Sequence, residues 1–224
     1  MIFAQLEDEP FVRWDWVFSH LDDIWDRSVE HLQLTVVAVG VGFVIAMVAS
    51  AIALRFRRSY SPITWVAGVL YTIPSLALFA LLVPYTGLSF LTAEIGLVSY
   101  TLLILIRNIV AGINGVSPEV RESAVGMGYT RGRLFWEIEL PLALPSIMAG
   151  LRIAVVTTVG LVTVTSLITL GGLGSFILRG LQRFFTTEIM VGVVMSVFLA
   201  VVLDLILVFI EWLLTPWARR RTAP

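Results

Sequence analysis

Residues 32–54 read LQLTVVAVGVGFVIAMVASAIAL, an apolar run that contains no charged side chain. About 20 helical residues, at 1.5 Å of rise per residue, cross the hydrocarbon core of a bilayer, which is roughly 30 Å thick. A run of this length is too long for an ordinary buried strand and too apolar for a surface helix. It therefore predicts a membrane-spanning helix.

The whole chain shares this apolar character. Of its 224 residues, 58% are hydrophobic and 14% are charged, and the mean hydropathy is +0.93. A soluble domain has about 45–50% apolar residues and about a quarter charged residues. A single globule of this length cannot hide such a surplus of apolar surface, so the composition predicts an integral membrane protein.

Four more apolar segments follow the first one, at residues 63–83, 90–111, 147–170 and 189–213. With residues 32–54 they predict an all-α, polytopic membrane protein with five spans. Pro74 lies inside the second segment. It predicts a kink there and a freed backbone carbonyl that needs a protein or water partner.

Several kinds of chemistry are excluded by composition. The chain has no Cys and no Lys, since all 15 basic residues are Arg. A disulfide, a thiol nucleophile and a P-loop lysine are therefore absent. His20 and His31 have no ligand-spaced partners, so no metal site and no catalytic residue is predicted. The glycine-rich residues 171–174 predict a tight re-entrant turn, and no basic tract with interleaved aromatics supports nucleic-acid binding.

Asp204 lies inside the fifth predicted span. A charge there is costly and suggests a function. It either pairs with an arginine or faces a pore, and the sequence leaves both open. An intramembrane enzyme would need more such groups than this one, so we do not expect an enzyme.

The distribution of arginine predicts the orientation. With five spans, eleven arginines fall on one side, which we expect to be cytoplasmic, and four on the other. The four outward arginines are Arg13, Arg27, Arg179 and Arg183. The N-terminus is then outside, and the basic tail at residues 216–224 is cytoplasmic. Arg179 and Arg183 depart mildly from the rule.

Residues 1–30 form an acidic segment with three tryptophans. It contains eight acidic residues and two arginines. Tryptophan favours the membrane interface because its ring is amphipathic. The segment predicts an extracytoplasmic interfacial helix. It is either a tail that aromatic side chains anchor or a surface for an outside partner.

The loop between the third and fourth spans, residues 117–141, predicts two short helices. Ser117 and Pro118 would begin the first helix, and Gly126 and Gly128 would end it. Thr130 would begin the second helix, and Pro141 with Pro145 would end it. The small residues would let another backbone approach closely. The alternative is an amphipathic helix that lies on the bilayer.

This loop carries a spaced signature. The sequence ESA at residues 122–124, Gly128 after three more residues, and IELP at residues 138–141 resemble the EAA motif of binding-protein-dependent ATP-binding-cassette permeases. Ser123, where that motif usually has Ala, is the single departure. Residues 31–35, 71–79, 107–108, 140–145, 171–174 and 180–181 are similar to the osmoprotectant branch. The resemblance covers roughly residues 30–215.

The resemblance implies a fold and a set of partners. It implies the five-helix permease core of a MetI-like type I importer over residues 31–215, with a cytoplasmic coupling loop at about 112–145. In the family an ATPase dimer binds ATP and Mg, so this chain needs no cofactor of its own. A second permease copy or paralogue, an external substrate-binding protein and the lipid of a bacterial inner membrane complete the system. The residues implied to contact the ATPase are Glu122, Ser123, Ala124, Gly126, Gly128, Ile138, Leu140 and Pro141.

The osmoprotectant branch imports glycine betaine, choline, carnitine or proline betaine. Aromatic faces attract quaternary ammonium groups. Polar-tipped residues within the spans are therefore candidates for the translocation path, namely Tyr71, Ser75, Tyr100 and Asn108. Each has the alternative role of packing helices or satisfying a kink. The functional alternatives are a permease for another small solute, such as methionine, and a non-transporting membrane scaffold.

Overall fold

The computed structural model of the chain describes residues 11–168 and 170–217. The secondary structure of this part is helical, with ten α-helices. They are α1 (Trp14–Ser19), α2 (Leu21–Arg55), α3 (Tyr60–Thr72), α4 (Ser75–Thr86), α5 (Phe90–Asn114), α6 (Pro118–Gly126), α7 (Arg131–Leu134), α8 (Leu140–Val164), α9 (Gly174–Arg183) and α10 (Thr186–Leu214). Two 3₁₀ turns, Arg57–Ser59 and Thr165–Ile168, and one π turn, Phe135–Glu139, join some of them.

The predicted spans correspond to these helices. Within the described residues, four helices are long and apolar enough to cross a membrane: α2, α5, α10 and the continuous helix Arg131–Ile168. The segment Arg57–Thr72 and α4 pass the same test together, bent by 96°. Counting the bent pair as one span gives five. The all-α, five-helix prediction is therefore confirmed.

The second span is broken rather than gently kinked at Pro74. Ile73 and Pro74 have extended backbones, with ψ of 128° and 133°. A residue before proline is steered away from the helical region, and proline has no N–H to continue the helix. The Tyr100 hydroxyl of α5 donates a hydrogen bond to the Ile73 carbonyl. The expected carbonyl partner is thus a protein side chain.

Helices α2, α5 and α8 pack against one another and form the centre of the bundle. Glycines permit the closest approaches. A Cβ added to Gly42 would lie 2.0 Å from the Thr101 Oγ1, and a Cβ added to Gly150 would lie 2.4 Å from the Asn108 Cβ. Small residues at such crossings let membrane helices gain van der Waals contact without a hydrophobic driving force.

The prediction that Pro141 and Pro145 end a separate loop helix is wrong. The chain continues as a helix from α7 through the π turn into α8, with Pro141 in the first turn of α8 and Pro145 inside it. In the π turn, the Leu140 N–H bonds to the Phe135 carbonyl. A π turn contains one residue more than an α-helical turn. It shifts the carbonyl that would otherwise clash with the Pro141 ring, so the helix continues beyond the proline.

The segment before the first span also differs from the prediction. The predicted interfacial helix is only α1, because residues 21–31 already belong to α2. α1 is fixed to the bundle, since the Arg13 N–H donates to the Thr187 Oγ1 at 3.0 Å and the Trp16 ring packs edge-on against Phe176 and Phe185. The first ten residues and the basic residues 219–221 lie outside the described part.

Residues 171–174 form a turn, with Gly172 at a φ of +45°, and the amphipathic helix α9 follows directly. The two arginines of this segment, which the sequence predicts on the outer side, both form ion pairs. The Arg179 Nη2 lies 3.1 Å from the Asp23 Oδ2, and the Arg183 Nη1 lies 3.6 Å from the Glu188 Oε1. Each arginine is therefore neutralised by an acid of a neighbouring element.

Candidate coupling loop and translocation site

The sequence of the 117–141 loop builds α6 by local rules. The Ser117 hydroxyl accepts a hydrogen bond from the Val120 N–H at 3.4 Å, and Pro118 is the first residue of the helix. These are favoured residues at a helix start. Glu119 lies in the first turn, where its own N–H and the Ser117 hydroxyl hold the pKa of its carboxyl below the usual range. The predicted caps of this helix are confirmed.

The end of α6 is a Schellman motif. The Tyr129 N–H bonds to the Ala124 carbonyl at 3.1 Å, and the Gly128 N–H bonds to the Val125 carbonyl at 2.9 Å. This motif requires a left-handed residue just after the helix cap. Gly128 occupies that position, with a φ of +84°. Gly126 has no such constraint, and a Cβ placed on it would meet nothing within 4 Å.

The first half of the motif lies on an open surface. Glu122 and Ser123 are exposed, whereas Ala124 is buried. The Ser123 hydroxyl donates to the Glu119 carbonyl at 2.7 Å, so this departure from Ala leaves no polar group seeking a partner. Glu122 makes no ion pair with any residue in the described part of the chain. With exposed Val125, this face of α6 is available to another protein.

The second half of the motif is anchored. The Thr130 hydroxyl caps α7 by accepting from the Arg133 N–H at 3.4 Å, as predicted. Ile138, Leu140 and Pro141 are half-buried, and Leu140 packs against the core between α5 and α8. Glu137 raises the pKa of Arg133 through a hydrogen bond of 2.9 Å on the exposed side. The loop is thus held at one end and open at the other.

Sequence reasoning missed two residues that join the halves. The Arg121 Nη2 on α6 donates to the Ile113 carbonyl of α5 at 2.6 Å. The Arg121 Nε lies 2.7 Å from the Oε1 of Glu139, the last residue of the π turn, so the two side chains form an ion pair. Their opposite charges on either side of the glycine turn were the available signal. The motif gives a role only to the residues next to them in the sequence.

A cavity of about 680 Å³ lies beside this ion pair. It opens between the C-terminal ends of α2 and α5 and the start of α3. Its polar lining includes Arg57, Tyr60, Asn114, Arg121 and Glu139.

Three of the four predicted pathway residues meet at the break in the second span. The Tyr71 and Tyr100 rings lie edge to face, with centroids 6.1 Å apart, and Tyr71 is 40% exposed. Ser75 begins α4 on the other side of the break and is half-buried. Tyr100 therefore does satisfy a kink, which was its alternative role, while it also presents a ring beside Tyr71.

Asn108 is not part of this group. It lies two helical turns further along α5, roughly 12 Å away at 1.5 Å per residue. Its Nδ2 donates to the Ile104 carbonyl at 2.8 Å, and its own carbonyl accepts from the Ser146 hydroxyl at 3.1 Å. Together with the close contact of Gly150, these bonds give Asn108 a packing role in the structure.

Two further polar contacts in the spans join helices of the bundle. Asp204 of α10 forms a two-pronged ion pair with Arg152 of α8, with Nε–Oδ1 at 2.7 Å and Nη2–Oδ2 at 2.9 Å. The His31 Nε2 donates to the Val159 carbonyl at 3.0 Å. In the described ranges, no three His, Cys, Asp or Glu side chains converge as a metal site would require.

Comparisons with known proteins place this geometry in a family. Residues 38–220 match the family described as binding-protein-dependent transport system inner membrane component. The chain is 34% identical over 195 residues to the choline transport system permease protein OpuBB of Bacillus subtilis, covering 87% of this chain and 90% of that protein. It is 36% identical over 194 residues to the carnitine transport permease protein OpuCB of Listeria monocytogenes, covering 87% and 89%.

The osmoprotectant import permease protein OsmW of Salmonella typhimurium is 34% identical over 198 residues, covering 84% of this chain and 90% of that protein. Among solved structures, an inward-facing MetNI methionine ABC transporter matches with a TM-score of 0.76 and 19% identity, over 88% of this chain and 98% of that chain. An amino acid ABC transporter with histidines matches with a TM-score of 0.70 and 17% identity, over 92% and 98%. The two structures agree in fold with the present bundle.

The family match and the relatives agree with the five-helix membrane bundle. The family consists of transport subunits and implies an ATPase and a substrate-binding protein as partners. This chain therefore belongs to the family of binding-protein-dependent transport system inner membrane components, as a multi-pass membrane permease and not an enzyme.

Proposed function

We propose that this chain is the permease subunit of an ATP-driven importer for quaternary-ammonium osmoprotectants, such as glycine betaine, choline, carnitine or proline betaine. The relatives named for choline, carnitine and osmoprotectant transport support the solute class, since they share about a third of their residues over most of both chains. The observation that supports the transport role is α6, a helix of the structured 117–141 loop that exposes Glu122 without an ion pair to any described residue.

The exposed face of α6 would dock in a cleft of the ATPase dimer, which binds ATP and Mg. Glu122, Ser123 and Gly126 would form that contact, and Gly128 would set the direction of the chain behind it. ATP can change the state of the permease only through its different affinity for two conformations of the complex. A stiff loop meets this requirement, because a loose loop would absorb the movement of the ATPase.

The solute would cross between two permease chains, either identical copies or paralogues. The break at Pro74 places Tyr71 and Tyr100 at the point where the second span changes direction. Aromatic faces attract a quaternary ammonium group without hydrogen bonds. Tyr71, with its exposed ring, is the better candidate for transient contact, and Ser75 lies next to it along the path.

The proposed orientation puts the N-terminus outside and the C-terminus in the cytoplasm of a bacterial inner membrane. α9 and the outer end of α2 would then face the external substrate-binding protein. The arginines of α9 are paired there with acidic side chains. The arginines of the 117–141 loop would face the ATPase, in agreement with the positive-inside rule.

Reconstitution tests this proposal. The chain would be purified with the subunits that accompany it and placed in proteoliposomes with its binding protein and ATP inside. We expect ATP-dependent accumulation of labelled glycine betaine, choline or carnitine, and competition among them. Methionine serves as the control solute. Accumulation of methionine, or no ATP-dependent uptake although an ATPase co-purifies, would overturn the assignment.

A further inference from the structure

Apolar packing holds α6 only weakly. Among the described residues, Ala124 is the single buried residue of α6, and its side chain is one methyl group. A helix that transmits force to its neighbours needs a stronger connection than that. The connection has to come from polar contacts or from the backbone at its two ends.

Arg121 supplies this connection, because one guanidinium bridges two elements. Its Nη2 bonds to the Ile113 carbonyl in the last turn of α5, and its Nε pairs with Glu139 at the entry to α8. The Arg121 and Glu139 side chains are 30% and 16% exposed. The contact of Nε with Glu139 is an ion pair without hydrogen-bond geometry, and Nη2 makes the hydrogen bond to the Ile113 carbonyl.

The same loop contains a pair that makes no such bridge. Arg133 and Glu137 lie four residues apart on one helical turn, and their side chains are 57% and 49% exposed. Exposed pairs within one helix contribute little to stability. This pair has the same residue types as Arg121 and Glu139, and it therefore serves as a matched control.

We propose that Arg121 and Glu139 are positioning residues that fix α6 to α5 and α8 as one body. The inference rests on the proposed function, since it concerns how α6 would pass ATPase movement to the spans. The cavity of about 680 Å³ lies between this pair and the ends of α2 and α3. Movement of α6 would therefore reach α5 and α8 directly, and α2 and α3 only through them.

Charge reversal and exchange test the pair in the reconstituted complex. The variants are Arg121→Glu, Glu139→Arg and the double exchange, and the readout is solute imported per ATP hydrolysed. We expect each single variant to lower this ratio by roughly tenfold while ATP hydrolysis continues. The exchange should restore part of it, since it restores the ion pair but not the hydrogen bond to the Ile113 carbonyl. Reversal of Arg133 or Glu137 should leave the ratio near that of the wild type.

Single variants that import as well as the control variants would overturn the proposal, and so would an exchange that restores nothing. Glu139→Gln covers the case in which a charge reversal does not insert into the membrane. It keeps the side-chain size and loses the charge, so we expect a smaller decrease in the same ratio. A Glu139→Gln variant that retains the full ratio would also count against the pair.

A second measurement does not depend on transport. The chain has no Cys, so spin labels can be placed at Val125→Cys on α6 and Leu142→Cys on α8, both exposed. We expect a narrow distance distribution in the full chain, a broad one with Arg121→Glu, and one of intermediate width with the exchange, which restores the ion pair but not the hydrogen bond to the Ile113 carbonyl. An unchanged distribution in Arg121→Glu would overturn the proposal. If the complex transports nothing, the proposed function fails while this distance still tests the pair.

Discussion

Gly128 is the residue on which the shape of the 117–141 loop most depends. Its φ of +84° is costly for any residue with a Cβ, by about 1–2 kcal/mol, and most of all for a β-branched one. We expect Gly128→Val to insert into the membrane normally but to lower uptake by roughly tenfold or more, since about 1.4 kcal/mol corresponds to a factor of ten. Uptake and membrane content of the variant would be measured together.

Gly126→Ala is the matched control for this change. The added methyl group meets nothing within 4 Å in this chain, and the φ at this position is not positive. The variant should fold normally, so any loss of uptake would come from the partner that approaches α6. Normal uptake by Gly128→Val would contradict the role that we give to the turn.

Asp204 and Arg152 carry a prediction about stability. Their two-pronged pair joins α8 to α10, and their side chains are 29% and 35% exposed in this chain. Removing one partner should lower the free energy of unfolding. The decrease should exceed about 1 kcal/mol, as for a surface pair, and stay below the ~3–5 kcal/mol that breaking a fully buried pair costs. We expect Asp204→Asn to lower the thermal unfolding temperature of the purified protein in detergent.

The control for Asp204 is Glu211→Gln. The Glu211 Oε2 lies 3.9 Å from the Arg152 Nη1, too far for a hydrogen bond. Its removal should change the unfolding temperature little. An equal effect of both variants would show that net charge, and not the paired geometry, stabilises this part of the bundle.

At the scale of a secondary-structure element, the broken second span depends on one hydroxyl group. The Tyr100 hydroxyl donates to the Ile73 carbonyl, which the extended backbone at Ile73 and Pro74 leaves without a helical partner. A buried carbonyl without a partner costs about 1–3 kcal/mol. We expect Tyr100→Phe to lower the unfolding temperature in detergent and to impair uptake.

Tyr71→Phe is the control, because it keeps the ring that packs on Tyr100 and removes a hydroxyl with no bond to the Ile73 carbonyl. It should retain the wild-type unfolding temperature. A Tyr100→Phe variant as stable as Tyr71→Phe would mean that the break is held by Pro74 and packing alone.

At the scale of the whole molecule, the orientation in the membrane is the prediction to test. The chain has no Cys, so an introduced one is its single thiol. Asp22→Cys on the outer turn of α2 should react with a membrane-impermeant thiol reagent in intact cells. Arg131→Cys in the 117–141 loop should react only after permeabilisation. The reverse pattern would remove the ATPase contact from the side where ATP is available.

The sequence by itself determined the features that depend on near neighbours along the chain. Apolar runs of sufficient length gave the five spans, and Pro74 gave the position at which the second one bends. Ser117 and Thr130 gave the starts of the two loop helices, and Gly128 gave the turn that ends the first. The spacing of the motif placed Glu122 on an exposed helix. These features follow from local backbone geometry and from the thickness of the bilayer, and the structure agrees with each of them.

Only the tertiary structure decided which side chains far apart in sequence meet. Arg121 with Glu139, Asp204 with Arg152, and Tyr100 with Ile73 are set by the register in which packed helices cross. The continuation of α8 past Pro141 likewise depends on a π turn that no local signal announced. Polar groups in a membrane bundle must find partners inside the protein, and many pairings satisfy the sequence, so helix packing makes the choice.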